Sequence, residues 1–249
     1  MGDDISTEEV RARAKRLVQA GILPAVETWA RRMSAPYWWE DPERGEPHHQ
    51  GGTICFVHTG QRLLGLTAEH IHREALERGR EDWCQVGGHT FDPAARLIDA
   101  DRDLDIATYD ISEVITNSAN ADVQYAPAWP PVISDNDVAI VGGWPWRLSR
   151  AHGQRVTHRF LHFLCRVQNP SGAQLGAALF TTTSVAWGSR PLPPGLNIGG
   201  MSGGPVYRVI ENPLTQLVLA GVIFEYQPAY ELALARPLTL VRADGTIVR

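Results

Sequence analysis

Residues 199–206 read Gly199-Gly200-Met201-Ser202-Gly203-Gly204-Pro205-Val206. Glycines on both sides supply the backbone dihedrals that tight turns need, so the segment reads as a turn presenting one serine. The turn opens into an apolar run, GPVYRVI, and a second run, LVLAGVIFEY, follows at residues 217–226. Toward the N-terminus, runs of the same kind recur: AALFTTTSVAW, RFLHFLCRV, DVAIVGG, DIATYDI, ARLIDA, RLLGLTA and TICFVH. They are short, partly β-branched or aromatic, and separated by turn residues. That texture predicts an all-β sandwich or a pair of barrels from residue 51 onward. One helical insert is expected at residues 69–78, EHIHREALER. PLPPG at 191–195 reads as a loop, because proline cannot donate to a central strand.

The segment ahead of this β region differs. Ser6 followed by Glu9 is a capping-box pattern, and Val10, Ala14, Leu17 and Val18 fall at helical spacing. Gly21 and Pro24 supply stop signals. A helix is predicted over residues 7–20 and a second short one over 25–33. The stretch SAPYWWEDPERGEPHHQGG, rich in Pro, Gly and charge, reads as a linker whose Tyr37, Trp38 and Trp39 pack against the body. His48 and His49 within it read as surface residues. The expected organisation is a helical extension and linker at 1–45 and a β domain at 46–249, dividing near residue 130.

Composition narrows the function classes. The chain has 249 residues, 43% hydrophobic and 20% charged, which is enough to bury a sizeable core. A net charge of −5 argues against a nucleic-acid binder working by bulk positive charge. Three cysteines, Cys55, Cys84 and Cys165, with no CxxC pair, argue against a disulfide-stapled domain or a thiolate zinc site. No run of about 18 apolar residues is present, so no membrane span is expected. The acidic start MGDDISTEEV lacks a basic region followed by an apolar one, so no secretory leader is read and a cytoplasmic location is expected.

Three patterns carry chemistry together. Leu66-Thr67-Ala68-Glu69-His70 ends a strand in a histidine at the start of a helical turn, Asp105-Ile106-Ala107 lies within DLDIATYDI, and Ser202 sits in the glycine turn. Alone, each has an ordinary explanation: a core or surface histidine, a strand-start aspartate, a tight turn. Together they meet the needs of acyl transfer. A serine hydroxyl needs an adjacent base, and histidine titrates near neutrality. A carboxylate fixes the imidazole tautomer, and glycine N–H groups converge on a developing oxyanion. The order His, Asp, Ser is one of the known chain orders of such a triad. His70-x-His72 carries no metal reading, because those side chains diverge on a helical turn.

These motifs resemble those of the chymotrypsin-like (trypsin-like) serine proteases, nearest in texture to bacterial intracellular or HtrA-type members. LTAEH resembles the family's TAAH, DIA matches its aspartate motif, and GMSGGPV resembles GDSGGP or GNSGGP. DVAIVGGWP at 137–145 resembles the strand opening the family's second barrel, and LAGVI at 219–223 the strand that holds substrate. The resemblance covers about residues 51–240. It implies two antiparallel six-stranded β-barrels, here with an N-terminal helical extension, and peptide-bond hydrolysis needing no metal or cofactor. Carried over, His70 is the general acid/base, Asp105 the orienting carboxylate with Asp103 its competitor, and Ser202 the nucleophile. The N–H groups of Gly200 and Ser202 form the oxyanion hole.

The departures also inform. Ile71 stands where animal trypsins carry a cysteine, which leaves Cys55 without a partner. Met201 stands where relatives activated by N-terminal cleavage carry an aspartate, so no such activation is expected. Glu69 stands beside His70 and competes for it if it points inward. In this register Leu196 lies at the base of the specificity pocket and Phe224, Glu225 and Tyr226 near its wall; bulky Tyr226 and apolar Leu196 favour small or medium apolar substrate side chains, and Glu225 is the alternative, a recruiter of a basic residue. A protein or peptide is the expected substrate. A rival expectation is a latent or catalytically impaired module that binds a peptide or partner protein, and the N-terminal helix is the place left for a regulatory partner.

Overall fold

The computed structural model describes residues 7–41, 48–78, 84–117, 122–126, 128–152, 155–171, 173–179, 199–211, 214–227 and 232–249. The chain opens with two helices. α1 spans Thr7–Gln19, with Glu8 and Glu9 in the first turn, where they meet the positive end of the helix dipole. Ser6, its expected cap, lies outside the described residues. α2 spans Ile22–Ala30, ahead of the expected 25–33. Pro24 falls in its first turn, where the N–H it lacks would be unpaired in any case.

The predicted stripe of α1 is used within the chain. Val10, Ala14 and Leu17 are buried in one cluster with Val138, Ile140, Tyr207, Val209 and Leu219. Arg13 donates from Nη2 to Val209 O at 2.9 Å and pairs with Glu211. Trp29 of α2 meets Tyr207 edge to face at 4.7 Å between centroids. The exposed face of α1 carries Arg11, Lys15 and Arg16.

The first sheet contains β1 (Ser34–Asp41), β2 (His48–His58), β3 (Leu63–Thr67), β4 (Gln85–Val86), β5 (His89–Thr90), β6 (Leu97–Asp101) and β7 (Ile106–Asp110). Their order is β5-β4-β1-β2-β3-β7-β6, with β8 (Gln124–Tyr125) parallel to β2. Among the described residues three α-helices interrupt it: α3 (Glu69–Arg78), as predicted, α4 (Pro93–Arg96) and α5 (Ser112–Asn117). The stretch read as a linker is corrected here. Residues 34–41 form β1, in register with β2 from Ser34↔Cys55 to Asp41↔His48, and His48 and His49 open β2. Ala35, Tyr37 and Trp39 alternate into the core, so aromatic period-two patterning overrides the Pro-rich, charged composition.

The second half holds β9 (Val138–Gly143), the hairpin β10 (Arg150–His152) and β11 (Arg155–Thr157), then β12 (Leu161–Ser171), β13 (Gln174–Leu179), β14 (Pro205–Glu211), β15 (Thr215–Gln227) and β16 (Leu232–Pro237). Six of these close into an antiparallel barrel, β12-β13-β16-β15-β14-β9. A closed six-stranded barrel with a second antiparallel-rich sheet and an N-terminal helical extension matches the trypsin-like fold implied by the motifs. The described pairings of the first sheet run as an open path. At its β6 end, C-terminal residues cover the edge: Ile247 N donates to Asp99 Oδ2 at 2.9 Å, and Arg249 pairs with Asp99 and Asp101 at 2.7 and 3.1 Å. Cys55, Cys84 and Cys165 are free and buried.

Candidate active site

His70 stands in the first turn of α3, immediately after β3 and Ala68. Asp105 ends the turn between β6 and β7. The two meet as a bidentate pair: Asp105 Oδ1 accepts the His70 backbone N–H at 2.8 Å, and Asp105 Oδ2 lies 2.8 Å from His70 Nδ1. This contact fixes the ring and leaves Nε2 as the atom available to take a proton. Asp105 is held at φ 51, a conformation that a non-glycine residue keeps only when its surroundings over-determine it. Asp103 is exposed, and its N–H donates to Asp101 Oδ1 at 3.0 Å. Of the two candidate aspartates, Asp105 is the one that meets the histidine.

Charge tunes the pair. Burial opposes the imidazolium, but the Asp105 hydrogen bond and charge, with Glu74 and Glu69, outweigh it and raise the His70 pKa above its ordinary 6.5. Burial likewise opposes the Asp105 carboxylate. The hydrogen bonds and charge of His70, with the Arg236 charge, overcome it and hold the Asp105 pKa below 3.8. Glu69 is buried but turns along α3 toward Arg73, with Nε at 3.5 Å, so it does not displace Asp105. His72 points elsewhere, with Nδ1 2.6 Å from Tyr109 OH.

Ser202 arrives from the barrel. Its turn is sewn to β15, with Gly203 N donating to Ile223 O at 2.7 Å and Ile223 N to Gly204 O at 2.8 Å. It is sewn equally to the first sheet, with Thr53 N donating to Ser202 O at 2.8 Å and Cys55 Sγ to Gly203 O at 3.0 Å. Two glycines permit that approach. Gly203 sits at φ +84, and a Cβ there would lie 1.9 Å from Thr53 O. A Cβ on Gly52 would lie 2.7 Å from Ser202 O and 2.8 Å from Ile71 Cγ1. One glycine of β2 therefore separates the serine from the residue that follows His70. Ser202 Oγ donates to Phe224 O at 3.4 Å, and no hydrogen bond joins it to His70 among the described residues. The N–H groups of Gly200 and Ser202 donate to no protein acceptor among the described residues. Met201 is buried in the barrel core, among apolar described residues.

The pocket residues separate. Leu196 lies outside the described residues. Phe224 occupies a bulge in β15, and its side chain packs against the core of the first sheet. Glu225 is exposed and accepts from Gln227 Nε2 at 3.2 Å. Tyr226 packs against the barrel core. The groove of about 970 Å³ lined by Leu17, Ile22, Trp29, Tyr125 and Leu217 includes none of the site residues.

Sequence reading missed two residues here. Arg236, on β16, reaches back to the aspartate turn, donating to Leu104 O and, at 3.4 Å, to Asp103 O. It also donates to Ala173 O at 2.9 Å, and its guanidinium lies 4.1 Å from the centroid of the Phe224 ring. Thr53, on β2, bridges the serine turn to the rest of the site. Their partners lie far away along the chain, so no local pattern marks them.

No family model matches the sequence, and no curated protein matches it. Similar solved structures include human heparin binding protein, 12% identical with a TM-score of 0.47, covering 86% of this chain and 89% of that one. Another comes from work on aromatic interactions in the coupled folding and binding of the intrinsically disordered Sesbania mosaic virus VPg protein. That chain is 13% identical with a TM-score of 0.45, covering 85% of this chain and 97% of its own. The functional reading rests on the geometry of the site.

Proposed function

We propose that the chain is a serine endopeptidase acting on protein or peptide substrates through His70, Asp105 and Ser202. The observation supporting this is the convergence of two independent pieces: a bidentate His70–Asp105 pair between the head of α3 and the β6–β7 turn, and a serine turn docked on β2 with two unspent N–H donors. In the proposed reaction Ser202 Oγ attacks the scissile carbonyl carbon and its proton passes to His70 Nε2. The N–H groups of Gly200 and Ser202 take the oxyanion charge, and His70 returns the proton to the leaving amine. Water then repeats the sequence on the acyl-enzyme. Nucleophile–base contacts are often long before substrate binds, and the proposed reaction requires Ser202 Oγ to leave Phe224 O and turn to His70 Nε2.

That same Ser202–Phe224 bond favours a second reading, a latent or catalytically impaired module that binds a peptide or partner without cutting it. Labelling of the full chain by a fluorophosphonate, read as intact mass, separates the two. The endopeptidase labels once, at Ser202, without prior loss of an N-terminal fragment. Ser202→Ala abolishes labelling and lowers peptide hydrolysis on the order of 10⁴–10⁶-fold while leaving the fold intact. An unlabelled full chain would refute the endopeptidase reading.

A further inference from the structure

We propose that Thr53 is a positioning residue that holds the Gly200–Ser202 turn in its donating shape, a task that no ion pair at position 201 performs in this chain. The inference rests on the proteolytic reading above and concerns the same site. Thr53 lies on β2, is fully buried, and spends every polar group on the site. Its N–H donates to Ser202 O at 2.8 Å. Its hydroxyl donates to Gly200 O at 3.0 Å and accepts the Trp144 N–H at 2.9 Å. Its carbonyl accepts the Thr67 hydroxyl at 2.7 Å, which ties it to the strand leading to His70.

The consequence follows from peptide planarity. Three successive carbonyls of the turn are pinned: Gly200 O and Ser202 O by Thr53, and Met201 O by Gly204 N at 2.7 Å. A pinned carbonyl fixes the plane of its peptide and therefore the direction of the N–H on the opposite side. The Ser202 N–H is fixed by the Met201 carbonyl, and the peptides pinned by Thr53 flank it. Trp144, the other partner of the Thr53 hydroxyl, is itself anchored. Its Nε1 lies 3.3 Å from Ser34 Oγ, and the Arg31 guanidinium lies 5.9 Å from its ring centroid. Residues at the end of the N-terminal helices thus brace the same clamp. Met201 can only pack, so the orientation of the turn comes from these neutral hydrogen bonds.

The test compares Thr53→Val, which keeps the shape and removes the hydroxyl, with Thr53→Ser, which keeps the hydroxyl. Fluorophosphonate labelling is the probe: Ser202 Oγ bonds to phosphorus, fluoride leaves with the P–F electron pair, and the seryl proton passes to His70. Thr53→Val should lower the limiting labelling rate of folded protein by about 100-fold, the scale of a 1 Å misplacement. The half-saturating probe concentration should not move, and Thr53→Ser should restore most of the rate. The Trp144 amide should exchange faster in Thr53→Val and return toward the parent rate in Thr53→Ser. Thr53→Ala gives the same comparison if the valine variant does not fold. Parent-like labelling by Thr53→Val, or equal impairment of Thr53→Ser, overturns the proposal. If the parent chain does not label, the proteolytic reading fails, and the Trp144 amide alone decides. Unchanged exchange in Thr53→Val then overturns the clamp as well.

Discussion

His70, at the head of α3, and Asp105, at the end of the β6–β7 turn, hold each other through hydrogen bonds to one carboxylate, whereas Ser202 lies on the turn entering the barrel and is held by its own backbone. The base half is complete without substrate, with Nδ1 and the backbone N–H both on one carboxylate. The nucleophile half is placed but not engaged, with Oγ on Phe224 O. Charge-assisted pairing tolerates little change in ionisation, and backbone docking tolerates little change in shape. The base half should therefore respond to pH and charge, and the nucleophile half to packing and small changes of side-chain volume.

The largest effect after loss of Ser202 itself is expected at the base. Asp105→Asn keeps the size and loses the charge, so His70 loses the partner that sets its tautomer. Peptide hydrolysis should fall on the order of 10⁴-fold. Asp103→Asn should leave hydrolysis near the parent rate, because Asp103 is exposed and its backbone N–H bonds to Asp101. The reverse ranking, measured as kcat/KM on one peptide, would break the assignment.

How much of this was legible differs between the halves in the same way. The serine turn, the histidine at the head of α3 and the aspartate before β7 are local patterns, and each stands where its motif put it. So does the α1 stripe, because burial at helical spacing is local information. β1 was hidden because proline, charge and glycine around Tyr37 and Trp39 read as linker punctuation. Its strand character comes from pairing with β2 and from a core that other segments build. Thr53 and Arg236 were illegible for a related reason. A threonine in a strand and an arginine in ALARPL have ordinary local readings, and their roles arise from Gly200, Trp144 and Leu104, all distant in sequence.

The helical extension offers a contrast of stability rather than rate. Leu17 is buried against the barrel with Val10 and Ala14, so Leu17→Ala should lower the unfolding free energy by about 2–5 kcal/mol. His70, Asp105 and Ser202 are not among the described residues of the cluster that holds the α1 stripe, so the folded fraction should keep its labelling rate. Chemical denaturation followed by tryptophan fluorescence checks the first point, and labelling below the new midpoint checks the second. An unchanged midpoint would mean that α1 adds nothing to the body it covers.

The smallest expected effects are shifts of a pH profile, and their signs sharpen the comparison most. His70 must be neutral to act as a base, and its pKa is raised above 6.5. kcat/KM should therefore climb with pH through an apparent pKa above 6.5 and then level. The pair's contribution to stability runs the other way: it is full below 6.5 and is lost as pH rises through the folded-state value. Asp105, held below 3.8, contributes above that value and loses its contribution as pH falls through its own folded-state pKa. The charges facing the pair are Glu74 and Glu69 from α3, with Arg73 beside Glu69, and Arg236 from β16 beside Asp105. Glu74→Gln removes a carboxylate that favours the imidazolium, so the rising limb should move to lower pH. Arg236→Met removes a cation that offsets Asp105, so the limb should move to higher pH. The His70 ring-proton titration, followed by NMR in each variant, should move in the same two directions. Shifts of one sign in both variants would show that the charges on the two elements do not act on His70 as this geometry requires.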